Sequence, residues 1–355
     1  MNRSTSLYLD LVRFSAAMVV MLGHLAGKRF TDGVLWRLGG YMDDAVMVFF
    51  VLSGFVIAYV VHQKETDATA YGISRAARIY SVAIPALVLT FALDTAGKHY
   101  APELYSMDWG YTGGNPVWQF FAGLFFVNQL WYNPIEIGSN LPYWSLGFEV
   151  WYYLFFAIFY FGRSSWKWLW LAIAIGIAGP RIAIFFPIWM LGYGAYVWTA
   201  RRKPGQGAGL LLLALSVAGY ALYCYFLKPG FNSGGADVGQ FHNLLPRYIV
   251  GPLFALHLAG FVWASDLFGK WLALGQKPIR WLAGTTFTIY LFHLPVAQCL
   301  ATLVPWAPAD WRTRLVILPG TLILMFVIAE FSERKKEVWN RWISSVFQRA
   351  GVAAR

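Results

Sequence analysis

Two ionisable side chains, Arg13 and His24, lie eleven residues apart in an apolar stretch near the start of the chain. In a helix, about 100° and 1.5 Å per residue place them within about 20° of one face and about 16 Å apart along the axis. Asp10 lies one turn before Arg13 on nearly the same stripe. Ionisable groups in apolar helices are costly and often mark a site or a pathway. Anchoring at the two membrane interfaces would also explain Arg13 and His24, so both interpretations stay open for this pair alone.

A carboxylate, Glu149, lies six residues into a later apolar run that begins at Trp144. If the chain starts in the cytoplasm, this places Glu149 at a depth similar to that of His24. An imidazole beside a carboxylate can act as a general base, because the carboxylate sets its tautomer and pKa. The alternative is that Glu149 is a structural ion or hydrogen-bond partner within a helix bundle.

Two guanidinium groups, Arg75 and Arg78, lie one helical turn apart at the entrance of the third apolar run. Each offers a planar fork of donors, which suits the oxygen atoms of phosphate groups. The pair therefore indicates a phosphate-binding site on the cytoplasmic side. Simple anchoring of a cytoplasmic loop explains either arginine taken alone.

A third polar set lies within one late apolar run, between Thr285 and Pro295, and includes Tyr290 and His293. For its threonines, hydrogen bonding between helices is the favoured role. Ser53 lies within another apolar run, in Leu52-Ser53-Gly54, and has no base nearby in the sequence. These residues are candidates for substrate binding or for structural roles.

Several motifs that carry other chemistry are missing from the sequence. It has no Walker-type phosphate loop, no His and Cys cluster with metal-ligand spacing and no Gly-x-Ser-x-Gly elbow. We therefore expect neither ATP hydrolysis nor a metal site. The two cysteines, Cys224 and Cys299, lie far apart in apolar runs, which favours packing over a disulfide or a metal pair.

Composition indicates that these residues are positioned by membrane helices. Of 355 residues, 58% are apolar and 13% are charged, whereas soluble domains have about 45–50% and about 25%. Continuous apolar runs at 173–177 and 210–215 favour helices over the alternating strands of a barrel. The net charge of +11 comes from residues in short loops and at the C-terminus. That placement indicates membrane topology and no nucleic-acid partner.

The apolar runs predict an all-α integral membrane protein with about ten transmembrane helices in one bundle. Lys and Arg then concentrate on one side, which places both termini in the cytoplasm. The short run 117–130 follows Asn115-Pro116 and is either an eleventh span or a half-helix. The loop charges favour a half-helix within a long external segment, 94–143. The predicted spans are 7–27, 45–62, 79–95, 144–162, 167–180, 183–199, 209–227, 248–264, 284–304 and 314–332.

The sequence predicts two regions, a membrane domain and a C-terminal tail. Residues 1–333 form the membrane domain, and its first run is expected to be retained because it carries charges and lacks a small-residue cleavage site. Residues 334–355 are predicted to form a basic amphipathic tail on the cytoplasmic lipid surface. In this tail the apolar positions Val338, Trp342, Val346 and Phe347 lie opposite the basic positions Lys336, Arg341 and Arg349.

Five motifs in order resemble the membrane acyltransferase-3 family, the bacterial integral-membrane O-acyltransferases. The resemblance covers residues 6 to 333 and departs from the family pattern after Arg78 and before Glu149. Its motifs are Leu9-Asp10-Leu11-Val12-Arg13 followed by His24, Phe49 to Phe55, Arg75 with Arg78, Trp144-Ser145-Leu146 with Glu149, and Tyr290-Leu291-Phe292-His293-Leu294-Pro295.

The resemblance implies transfer of an acyl group, usually acetyl from acetyl-CoA, to a hydroxyl of a carbohydrate, glycolipid or related acceptor. His24 and Glu149 would then be catalytic, with His24 either a base or an acyl carrier. Arg13, Arg75 and Arg78 would hold coenzyme A phosphates, and no cofactor would be tightly bound. Substrate or structural roles remain for Asp10, Ser53, Trp144, Ser145, Tyr290 and His293.

The same family implies a multi-pass protein of the bacterial cytoplasmic membrane, with envelope polysaccharide assembly proteins as possible partners. The main rival hypothesis is a transporter or export permease, in which Arg, His and Glu would form a substrate or proton path. Such proteins often have internal pseudo-symmetry, and the sequence contains no convincing repeat. A structural subunit without activity is the third hypothesis.

Overall fold

The structure of the chain is a computed structural model that describes residues 1–106, 111, 113–230, 243–335, 337–339, 341, 342 and 345. Across these residues the regular structure is helical throughout. The principal helices are α1 (Arg3–Leu25), α2 (Met42–Gln63), α3 (Ala68–Tyr100), α4 (Pro116–Leu124), α5 (Trp144–Phe161), α6 (Lys167–Ala178), α7 (Phe186–Arg201), α8 (Gln206–Leu222), α9 (Leu244–Ala264), α10 (Thr286–Thr302) and α11 (Thr321–Phe331).

Shorter segments join or extend these helices. Two π-helical turns, Tyr223–Leu227 and Val316–Gly320, extend α8 and precede α11. The remaining short helical segments are Lys28–Thr31, Trp36–Gly39, Pro102–Tyr105, Leu141–Tyr143, Pro180–Ala183, Lys228–Gly230, Gly269–Leu274, Gln276–Ala283, Trp311–Leu315 and Glu333–Lys335.

Helix starts follow capping signals in the sequence. At α3, the Asp67 carboxylate accepts hydrogen bonds from the backbone N–H groups of Thr69 and Ala70, at 2.9 and 2.8 Å. At α4, the Asn115 side chain accepts from Val117 at 2.9 Å, and Pro116 occupies the first helical position. Both arrangements satisfy backbone donors that have no partner inside the helix.

Eight helical segments in the described part of the chain are long and apolar enough to cross a membrane. They coincide with eight of the predicted spans, which confirms a multi-pass all-α membrane protein. The predicted spans 167–180 and 284–304 coincide with α6 and α10, which have 12 and 17 residues. The count of ten and the cytoplasmic termini therefore stay predictions.

The half-helix prediction concerns α4, which is only nine residues long. Its rise is about 14 Å, roughly half of the hydrocarbon thickness of a bilayer. Helix α4 is therefore too short to cross the membrane, which agrees with the predicted half-helix.

The helices group into two compact units. Unit 1 contains Met1–Ala16, Gly40–Lys64 and Ile184–Ala283, and unit 2 contains Ala17–Gly39, Glu65–Ala183 and Gly284–Arg355. Helix α1 contributes its first half to unit 1 and its second half to unit 2. The predicted boundary at 333/334 stays a prediction, and tail residues such as Val346 and Phe347 lie outside the described residues.

Glycines allow helices of unit 1 to approach at the level of the backbone. A Cβ atom added at Gly192 on α7 would overlap the carbonyl oxygen of Val51 on α2, and one at Gly54 would overlap the Trp189 carbonyl. Small residues at helix crossings are the usual way in which membrane helices pack closely, because dispersion rather than the hydrophobic effect holds them together. The α2–α7 crossing therefore depends on these glycines.

We expect Gly192→Ala to lower the free energy of unfolding by at least about 1–3 kcal/mol, the usual cost of overpacking. The cost arises because the new methyl group meets backbone atoms, which cannot move aside as a side chain can. Thermal unfolding of the purified protein in detergent measures the effect. The matched control is Gly194→Ala on the same helix, where an added Cβ would meet no atom within 4 Å. Equal stabilities of the two variants would contradict this account of the crossing.

Candidate active site

A pair of histidines makes contact within unit 2. The Nε2 atom of His293 on α10 is 3.1 Å from the Nδ1 atom of His24 on α1. His293 is fully buried, and His24 is half-buried. Each ring also contacts its own helix, because His293 Nδ1 is 2.7 Å from the Ile289 carbonyl and His24 Nδ1 is 3.0 Å from the Val20 carbonyl. Both imidazoles are therefore held in defined orientations.

A proline in α10 leaves one backbone carbonyl before His293 without its helical donor, and a side chain from another segment replaces that donor. Pro295 has no N–H group, so the carbonyl of Leu291 loses its helical hydrogen bond. The side chain of Asn140 replaces that donor at 2.8 Å and also donates to the Thr90 hydroxyl at 3.0 Å. Asn140 is fully buried. It thus ties the loop before α5 to both α3 and α10.

Two predicted residues meet one turn before His293. The hydroxyl groups of Tyr290 on α10 and Ser145 on α5 are 2.6 Å apart. Ser145 is also within 3.3 Å of the Pro142 carbonyl. Residues three apart on a helix are neighbours on its surface, so the Ser145–Tyr290 pair lies close to the histidine pair. Trp144 packs edge-on against Phe148, with ring centroids 5.0 Å apart.

Glu149 and the two arginines converge on Tyr153, a residue that sequence analysis missed. The Tyr153 hydroxyl donates to a Glu149 carboxylate oxygen at 2.5 Å. The Arg75 guanidinium lies 5.9 Å from the centre of the Tyr153 ring, and the charge of Arg78 is also close enough to act on Tyr153. The i, i+4 spacing of Glu149 and Tyr153 on α5 is the signal that could have identified this contact.

The two arginines differ in their partners. Arg75 donates to the Glu65 carboxylate at 2.9 Å, and both side chains are nearly buried. Arg78 instead lies over the Phe287 ring, 4.8 Å from its centre. Its Nε atom is buried and has no hydrogen-bond partner within the described residues, which is also true of the Arg75 Nε atom. The two arginines thus differ in that Arg75 has a carboxylate partner and Arg78 has an aromatic one.

Three predicted residues belong to unit 1. Arg13 lies 3.9 Å from Asp10, which also forms an ion pair with Arg280. Asp10 therefore links α1 to the short helix Gln276–Ala283. Ser53 is half-buried on α2. The phosphate-binding role of Arg13 and the substrate role of Ser53 stay predictions.

The predicted pairing of His24 with Glu149 also stays a prediction. The contacts described for these side chains are His24 with His293 and Glu149 with Tyr153. In the described part of the chain, no three His, Cys, Asp or Glu side chains converge in a way that could hold a metal ion. The described contacts thus form two groups: the His24–His293 and Ser145–Tyr290 pairs, and the Glu149–Tyr153 pair with Arg75 and its partner Glu65.

Comparison with known proteins identifies the class of protein. A family model described as "Acyltransferase domain" matches residues 6–330. The chain therefore belongs to the acyltransferase-3 family, which confirms the resemblance predicted from its motifs.

Two curated relatives carry acyltransferase names. The chain is 31% identical to acyltransferase MdmB of Streptomyces mycarofaciens over 42% of its own length and 38% of that protein. It is 23% identical to peptidoglycan O-acetyltransferase OatA of Listeria monocytogenes over 92% of its own length and 54% of that protein. The matched regions thus cover 38% and 54% of the lengths of these two relatives. No solved structure matches the chain.

We expect Asn140→Ala to lower the free energy of unfolding by about 1–3 kcal/mol, because the buried Leu291 carbonyl then loses its donor. In a Pro295→Ala background the cost should be smaller, since the restored N–H of residue 295 can bond to that carbonyl. A double-mutant cycle of unfolding in detergent measures the coupling. If the two costs simply add, Asn140 does not replace the missing helical bond.

Proposed function

We propose that this protein is a membrane O-acyltransferase of the bacterial cytoplasmic membrane. It transfers an acetyl group from cytoplasmic acetyl-CoA to a hydroxyl of an envelope or exported carbohydrate or glycolipid. The observation that carries the proposal is the half-buried His24 imidazole, fixed on one side by His293 within a membrane helix. Membership of the acyltransferase-3 family supports the same reaction class.

The donor site is proposed from the arginines. The guanidinium of Arg78 binds a phosphate group of coenzyme A, and Arg75 contributes a second positive charge that Glu65 partly neutralises. Tyr153, which donates to Glu149, lies beside Arg75 and is proposed to help to position that arginine. A role for Arg13 in binding the donor stays a prediction from the sequence.

The proposed reaction proceeds by direct attack. His24 removes the proton from the acceptor hydroxyl, and the acceptor oxygen forms a bond to the thioester carbonyl carbon. The carbon–sulfur bond then breaks, and the coenzyme A thiolate takes the proton back from the His24 imidazolium. A second route, in which the acetyl group is first carried on His24, gives the same products. The acceptor class is proposed to resemble that of the O-acetyltransferase relative, whose name specifies peptidoglycan.

His24→Ala is expected to reduce release of free coenzyme A thiol at least about a hundredfold, because a positioned general base contributes about 10²–10⁴ to the rate. The assay uses bacterial membranes that contain the protein and their own carbohydrate acceptors, supplied with radiolabelled acetyl-CoA. Label should appear in the carbohydrate fraction in step with thiol release. The matched control, His99→Ala, replaces an exposed histidine and should retain the activity.

Two outcomes would contradict the proposal. Unchanged thiol release in a folded His24→Ala protein would exclude His24 as the base. Movement of carbohydrate across the membrane without consumption of the thioester would instead favour a transporter.

Arg78→Ala is expected to raise the KM for acetyl-CoA about ten- to a hundredfold with a smaller change in kcat. A hydrogen bond to a charged group contributes about 1.5–3 kcal/mol, and loss of uniform binding appears in KM. Steady-state thiol release at varied acetyl-CoA measures both constants. The control is Arg163→Ala, which removes an exposed positive charge from a loop. An unchanged KM in Arg78→Ala would refute the phosphate-binding role.

A further inference from the structure

The hydrogen bonds of the histidine pair determine where its protons are. A backbone carbonyl oxygen can only accept a hydrogen bond. His293 Nδ1 lies 2.7 Å from the Ile289 carbonyl, so this nitrogen carries a hydrogen atom. A neutral imidazole carries only one such hydrogen. The Nε2 atom of His293 is therefore an acceptor, and it faces the Nδ1 atom of His24.

The same logic fixes the tautomer of His24. Its Nδ1 atom lies between two acceptors, the Val20 carbonyl at 3.0 Å and His293 Nε2 at 3.1 Å. The single hydrogen of neutral His24 is thus on Nδ1, and the lone pair that can accept a proton is on Nε2. The opposite assignment would place a lone pair against the Val20 carbonyl. It would also require a doubly protonated His293 in a fully buried position, where a charge is costly.

We propose that His293 is a positioning residue that holds His24 in the tautomer whose Nε2 atom is the base. This inference rests on the proposed function of His24. Without His293, the Val20 carbonyl is the remaining described acceptor for His24 Nδ1, so the ring can rotate away from it and exchange its hydrogen between the two nitrogens. With His293, only Nε2 can accept the proton of the acceptor hydroxyl.

The contact also persists through the reaction. When Nε2 takes up the proton, His24 becomes an imidazolium ion with hydrogen atoms on both nitrogens. Its Nδ1–H continues to donate to His293 Nε2, so the acceptor that fixed the neutral tautomer also stabilises the charged form. In this arrangement a neutral imidazole orients the base, a role for which carboxylates and backbone carbonyls are the usual partners.

The experiment compares His293→Gln with His293→Leu in the thiol-release assay. The side-chain oxygen of Gln can accept the Nδ1–H of His24, whereas Leu has a similar volume and no acceptor. We expect kcat of His293→Leu to fall at least about a hundredfold, with the KM for acetyl-CoA within about twofold of the wild type. His293→Gln should recover most of kcat. Equal losses of kcat in both variants, or no loss in either, would overturn the inference.

A second measurement reads the tautomer directly and does not depend on acetyl transfer. In protein labelled with nitrogen-15 at histidine, the one-bond coupling to hydrogen shows which ring nitrogen is protonated. The His24 signals are assigned by their loss in His24→Ala. The wild type and His293→Gln should show the coupling at Nδ1, and His293→Leu should show it at Nε2 or at both nitrogens. A wild-type coupling at Nε2 would overturn the inference.

The two measurements separate this inference from the proposed function. If wild-type membranes release no coenzyme A thiol, the proposed function fails, while a coupling at Nδ1 of His24 that is lost in His293→Leu still supports the control of its tautomer by His293. If thiol release depends on His24 but kcat is unaffected by His293→Leu, the proposed function stands and the positioning role is wrong.

Discussion

The hydrogen bond from Asn140 to the Leu291 carbonyl is the contact on which the site in unit 2 depends. A helix in an apolar environment must satisfy its backbone groups internally, and Pro295 leaves one carbonyl of α10 without its helical donor. Because Asn140 supplies that donor, the loop before α5 is fixed against α10 two residues before His293. The Ser145–Tyr290 contact then joins the start of α5 to the same turn. The missing backbone hydrogen bond of α10 thus lies where Asn140 and Ser145 contact this helix.

Rigidity in this site comes from buried polar groups that each make two contacts. His293 contacts both the Ile289 carbonyl of its own helix and the Nδ1 atom of His24, and Asn140 donates to two different helices. Each of these groups is buried, where an unmade hydrogen bond would cost more than a made one contributes. The resulting network leaves few alternative arrangements, which is the condition for placing one nitrogen of His24 towards a reacting hydroxyl.

The sequence predicts the outline of the fold and much of the content of the site, because apolar runs and misplaced charges are local signals. Arg75, Arg78 and Glu149 stand out for that reason, and Glu149 and Arg75 both lie next to Tyr153. The partner of His24 is 269 positions away on another helix, so no spacing rule could select it. Pro295 marks a free carbonyl in the sequence, but nothing local identifies Asn140 as its donor.

The grouping of the helices into two units was beyond the reach of sequence patterns, because apolar runs that pack in different units look alike. Glycine positions are the nearest that the sequence offers to a signal of which helices pack closely. Gly54 and Gly192 lie where two helix backbones touch. A Cβ atom added at Gly194, on the same helix as Gly192, would meet no atom within 4 Å. Composition alone cannot separate these cases, since what differs is the neighbouring backbone and not the glycine. The sequence therefore predicts the all-α membrane class of fold but not the grouping of the helices into two units.

The contrast between Arg75 and Arg78 shows how a charge in apolar surroundings can be structural or available. Arg75 is compensated by Glu65 within the chain, so removing either partner would leave an unpaired charge. Arg78 lies over an aromatic ring, which offsets only part of the cost of removing a guanidinium from water. An anionic ligand would supply the rest. The proposed phosphate-binding role accounts for this second, half-buried guanidinium, because the partner of its charge would then arrive with the substrate.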